Sequence, residues 1–101
     1  MSHRLDAQGR QRSTLDDLFD NGQAGDWYID EAEGNVWLML PHLTMYDEIE
    51  VEPLRWPYRT PLKNGACWQY NGNPAAPTLK PSLNWVGMWH GWLTDGKLKH
   101  V

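Results

Sequence analysis

The stretch from Cys67 to Leu98, CWQYNGNPAAPTLKPSLNWVGMWHGWLTDGKL, constrains this chain most. It holds Trp68, Trp85, Trp89 and Trp92, four of the seven tryptophans, together with Pro74, Pro77, Pro81 and the turn dipeptides Asn71-Gly72 and Asp95-Gly96. So many large rings cannot all stay in water, and the glycines and prolines mark where the backbone must reverse. The segment predicts short strands joined by fixed turns. Tryptophan is then the main core material, with one or two indoles left at the surface.

The length of 101 residues allows one domain. A net charge of −4, with no basic face, argues against a nucleic-acid binder. Asp47, Glu48, Glu50 and Glu52 form the one dense acidic run, read as the wet face of a strand. Cys67 is the single cysteine, so no internal disulfide forms; a half-buried thiol beside Trp68 in a reducing compartment is expected. No signal peptide and no run of roughly 20 apolar residues is present, which predicts a soluble, cytoplasmic protein with no membrane contact.

Residues 1–12 are polar and read as a flexible N-terminal arm, leaving 13–101 as a single β-rich domain. Ser13 or Thr14 caps a short helix through Asp20, with Asp16 and Asp17 in its first turn, and Asn21-Gly22 stops it. Segments 26–30 and 35–40 form a hairpin around 31–34, and Pro41 ends the second, central strand. A strand follows at 47–52. Pro53, Pro57 and Pro61 then exclude a central strand and predict an extended loop over 53–64. Strands at 66–70, 78–85, 86–93 and 97–101 complete the chain. In the third of these, Met88, His90 and Trp92 share one face, and Trp89, Gly91 and Leu93 the other. The fold class is mainly β, a β-rich α+β domain: a small antiparallel sheet, open barrel or sandwich of about six short strands with one short N-terminal helix.

Trp68-Gln69-Tyr70-Asn71-Gly72, Pro77-Thr78-Leu79-Lys80-Pro81-Ser82-Leu83 and His90-Gly91-Trp92-Leu93-Thr94-Asp95-Gly96 together resemble a small phage and bacterial family of uncharacterised function, loosely labelled "ammonia monooxygenase". The resemblance covers about residues 66–99. It implies a structural zinc site built on cysteines, and the sequence departs from that pattern. Leu40-Pro41-His42-Leu43 stands where paired cysteines would, and Trp89 precedes His90. With only His42, Cys67 and His90 to offer, no metal and no cofactor is expected.

His90 is the best single candidate for chemistry, with Asp95 or Thr94 within reach across a turn to fix its tautomer. The alternative is a histidine bonded to backbone at a tight strand crossing, and His42 carries the same choice. Ser82 could pair with His90, although its motif more naturally makes a turn. Arg55, Trp56, Tyr58 and Arg59, in the proline-stiffened loop, form the candidate partner-binding patch. The leading reading is a non-enzymatic phage or prophage protein acting by contact with a host protein, with a homodimer open. A small hydrolase or metal-dependent enzyme centred on His90 is the runner-up. A sugar- or nucleotide-binding module built on Trp56, Tyr58 and Tyr70 comes third.

Overall fold

Two antiparallel sheets share one apolar interior in the computed structural model, which describes residues 5–101. The strands are β1 (Ala7–Gln8), β2 (Trp27–Asp30), β3 (Asn35–Leu43), β4 (Ile49–Pro57), β5 (Gln69–Tyr70), β6 (Leu79–Trp85), β7 (Trp89–Thr94) and β8 (Lys97–His100). Among the described residues there is one helix, α1, which spans Leu15–Asn21. One sheet has the order β1-β8-β7-β6-β5, the other β2-β3-β4. The fold is therefore β-rich, as the turn spacing and tryptophan content predicted, with eight strands rather than six and neither sheet closed into a barrel. No helix among the described residues is long and apolar enough to cross a membrane.

The interior joins Trp27, Ile29, Val36, Leu38, Leu40 and Trp56 of the smaller sheet to Leu79, Leu83, Trp89, Leu93 and Leu98 of the larger. Two indole N–H groups are satisfied by segments that pass over them, Trp27 donating to the Pro74 carbonyl at 2.8 Å and Trp89 to that of Leu5 at 3.0 Å, whereas those of Trp37 and Trp56 are buried without an acceptor. Each bond ties a ring to a remote segment, so the tryptophans both fill the core and fix its lid.

Residues 5–12 depart from the expected arm; residues 1–4 of that span lie outside the described residues. Leu5 is buried, β1 pairs with β8, and Gln11 bridges to Trp27. Arg12 is also buried. Its guanidinium meets the Asp26 carboxylate at 2.7 and 2.8 Å and donates to the Asn21 carbonyl at 3.0 Å. A polar segment thus docks through backbone pairing and one fully engaged fork of donors, signals that hydropathy does not carry.

Helix α1 begins as its cap residue dictates, with the Asp17 N–H donating to Thr14 Oγ1 at 3.0 Å. The prolines behave differently from expectation. Pro41 does not end β3, which continues to Leu43. Since β2 pairs only with Asn35–Leu38, β3 has no neighbour on that side at Pro41, and the Met39 N–H shows that this parity points away from β4. The missing donor is therefore harmless. Pro53 and Pro57 likewise lie inside β4, an edge strand of the smaller sheet, so 53–57 is strand rather than loop.

Candidate active site

Strands β6 and β7 form a hairpin about Val86-Gly87-Met88, closed by the Met88 N–H on the Trp85 carbonyl at 2.9 Å, with Gly87 at φ +79°. Beyond it, Trp85 pairs with Trp89, Asn84 with His90 and Leu83 with Gly91. The register then shifts, and the next pair is Leu79 with Leu93. Lys80, Pro81 and Ser82 on β6 thus oppose Trp92 alone on β7. Such a bulge bends its strand and re-aims a side chain, and bulges recur beside active sites. The Ser82 carbonyl is held by the Trp68 indole N–H at 3.3 Å.

Along β7 burial alternates strictly, with Trp89, Gly91 and Leu93 inward and His90, Trp92 and Thr94 outward, the two-face split the sequence predicted for Trp89 to Leu93. His90 therefore stands on the open face of the five-stranded sheet, diagonal to Ser82. Its Nε2 lies 3.3 Å from Ser82 Oγ. The imidazole also stacks on the Trp92 indole, with centroids 6.5 Å apart and planes 29° apart. Beside the serine is an open cleft of about 710 Å³ lined by Cys67, Gln69, Lys80, Pro81, Ser82 and Trp92. A half-buried hydroxyl that lines a cleft and faces an imidazole is the minimal arrangement for an activated oxygen nucleophile, and such pairs are often this long without substrate.

The other sequence candidates lie elsewhere. Asp95 follows the far end of β7, about 17 Å from His90 at 3.3–3.4 Å per residue, and its N–H donates to Thr78 Oγ1 at 2.9 Å. It does not orient the imidazole: a strand carries its two ends apart, whereas the expectation required a turn between them. Trp56 is a core ring, 5% exposed and edge-on to Trp68 at 4.9 Å. Tyr58 packs on Tyr70 at 4.8 Å, and burial pushes both phenols above their ordinary pKa. Arg59 donates to the carbonyls of Glu31 and Ala32 at 2.8 and 3.2 Å, while Arg55 lines a separate cleft of about 650 Å³ with Glu33 and Lys63. The four residues of the expected patch thus do not share one surface, because strand alternation turns Trp56 inward between them. His42 is buried edge-on against Trp85 at 5.1 Å, and Cys67 is exposed rather than half-buried.

Ser82, in a motif expected to make a turn, lies instead within β6 with its hydroxyl facing His90. The signal was available: a hairpin centred on Gly87 places Asn84 opposite His90 and hence Ser82 on its diagonal. Comparison with known families falls on the same segment. A family model, BubE, described as a bacterial ubiquitination-like system serine protease, matches residues 50–101. No curated protein and no solved structure matches the chain. The match overturns the resemblance to the family labelled "ammonia monooxygenase": the motifs that suggested it, from Trp68 to Gly96, lie within the segment that fits the protease model.

Proposed function

The chain belongs to the BubE family of bacterial ubiquitination-like system serine proteases, and from that premise we propose that it is a serine peptidase with Ser82 as nucleophile and His90 as general base. The observation that carries this is the 3.3 Å approach of Ser82 Oγ to His90 Nε2 on an open sheet face inside the matched segment. Of the two leading expectations from sequence, this favours the hydrolase centred on His90.

In the proposed reaction, His90 Nε2 takes the Ser82 hydroxyl proton as Oγ attacks the scissile carbonyl. The resulting imidazolium returns that proton to the departing amine, leaving an acyl-serine, and a water activated by the same imidazole releases the acid. The hydroxyl must approach with its lone pair free, and anchoring of the Ser82 carbonyl by Trp68 fixes the backbone from which it projects. The Lys80 ammonium and the Gln69 carboxamide line the same cleft and supply side-chain donors toward developing negative charge. The substrate class follows from the system: an acyl bond at the carboxyl end of a ubiquitin-like protein or of a chain joined to one.

A fluorophosphonate probe with intact-mass and peptide mapping tests the reading. Phosphonylation of Ser82 is expected, lost in Ser82→Ala and strongly slowed in His90→Gln. An unmodified wild type, or label on another residue, would sink it.

A protein-contact role remains part of the proposal, since such a peptidase must dock a protein. Met45, Tyr46, Val86 and Met88 are exposed, and Met45, Tyr46 and Met88 line a groove of about 500 Å³ that also borders His42, Glu48 and Glu50. Tyr46→Asp should raise KM for a protein substrate severalfold while leaving fluorophosphonate labelling of Ser82 unchanged; slowed labelling would place Tyr46 in the reaction centre instead.

A further inference from the structure

Trp92 alone among the seven tryptophans is exposed, at 45%, whereas Trp27, Trp56 and Trp89 are 5% exposed or less and Trp37, Trp68 and Trp85 half-buried. A large ring left in water on a fold that buries its other indoles asks for a local reason. Its surroundings offer one. Trp92 is the residue opposite the bulge Lys80–Pro81–Ser82, it lines the cleft with Ser82, and its ring lies against His90 at 29°.

A dyad of serine and histidine alone has a mechanical weakness. The terminal torsion of an imidazole is broad, so the ring turns freely unless a third group holds it. In Ser-His-Asp triads a carboxylate does this by accepting from Nδ1. Among the described residues the side-chain partners of His90 are Ser82 on Nε2 and Trp92 on its ring face, with no group of three His, Cys, Asp or Glu in metal-binding range. Asp95 is at the other end of the strand.

Resting on the Ser82–His90 reading, we infer that Trp92 is a positioning residue whose indole holds the His90 imidazole with Nε2 toward Ser82 Oγ. Strand geometry makes this arrangement. His90 and Trp92 are two apart on β7 and so project from the same face, side by side. Ser82 sits across from Trp92 and diagonal to His90, a pairing in which Cα atoms are roughly 7–8 Å apart and only a leaning side chain closes the gap. To reach Ser82, the imidazole must lean along the indole. Offset stacking favours that pose and blocks rotation of the ring toward Trp92. The exposed indole edge also forms one wall of the cleft, so that substrate filling it would press the imidazole further into line.

The test uses the fluorophosphonate rate at Ser82 with His90 ring-proton NMR. Trp92→Ala and Trp92→Leu should each slow labelling about 10- to 100-fold, the range that misplacement of a reacting group produces. The His90 ring protons should lose their ring-current shift in both. Trp92→Phe keeps a flat ring and should label within about threefold of wild type. The leucine variant keeps apolar bulk in the strand, so a rate loss shared with alanine but not phenylalanine separates ring positioning from packing. Wild-type labelling rates in the alanine and leucine variants, or unchanged His90 shifts, would overturn the inference while leaving the dyad intact. Absence of Ser82 labelling in wild type would overturn the dyad first and this inference with it.

Discussion

Ser82 and His90 depend on one another in a way that single substitutions can read. Removing a general base typically costs 10²–10⁴-fold, so His90→Gln should slow fluorophosphonate labelling by about that factor. Its thermal midpoint should stay near wild type, because His90 is exposed. A rate within threefold of wild type would mean that the serine is not activated by this imidazole. His90 could be picked out from sequence because it opens the motif His90–Gly96 and lies on the strand face opposite Trp89 and Gly91. Ser82 is open from sequence as a partner for His90, but Pro77 and Pro81 just before it are residues that normally make turns. What admits Pro81 to β6 is the bulge, where the ladder opposite Trp92 is interrupted and a missing N–H costs nothing. Trp56 failed the other way. Its neighbours Arg55 and Tyr58 made it resemble an interface anchor, and only the pairing of β4 with β3 shows that it faces inward.

At the scale of elements, the β6–β7–β8 ladder sets the site. Gly91 is the tightest point in it: a Cβ there would lie 2.1 Å from the Lys99 carbonyl oxygen and 2.6 Å from the Trp89 ring. Backbone cannot yield as a flexible side chain does, so Gly91→Ala should destabilise by about 3 kcal/mol, the upper end for overpacking. It should also displace His90 and abolish labelling at temperatures where the variant is still folded. A urea midpoint equal to wild type would refute the close approach. Helix α1 is a separate element with a separate expectation. Thr14→Ala removes the acceptor for the Asp17 N–H and should cost about 1 kcal/mol in urea unfolding, with no change at Ser82, which lies on the other sheet.

For the whole molecule the joint is Asp26. It accepts from the Arg10 and Gln23 backbone N–H groups at 2.9 Å and from the Arg12 guanidinium, so one buried carboxylate fastens the N-terminal segment and the loop after α1 to the start of β2. Asp26→Ala leaves Arg12 charged and buried without its closest partner, with only the Asp17 carboxylate at 3.5 Å to pair with. It should cost about 3–5 kcal/mol, seen as loss of amide-exchange protection across β1 as well as β2; protection confined to its wild-type pattern would contradict that role. Asp17 gives the molecule an acid-side dependence. Its carboxyl is held below its ordinary value, first by the hydrogen bond from Asn21 and then by Arg12. A depressed folded-state pKa adds stability above the ordinary carboxylate value of about 4, and that stability is lost as pH falls through the folded value. Asp17→Asn should therefore be less stable than wild type at neutral pH and converge with it on acidification; parallel curves would be the contrary result.

The sequence by itself determined the class of fold, the helix with its cap, the hairpin around 31–34 and the face that His90 shares with Trp92. Each of these follows from local chemistry: a side-chain acceptor, a turn residue or a two-residue period. Tertiary structure alone decided that Pro41 and Pro53 sit inside strands, that residues 5–12 pack onto the sheets and that, of the partners open to His90, Ser82 is the one it meets. Those outcomes depend on which strand lies on which side and in what register, and a register is fixed only when both partners have folded against the same core.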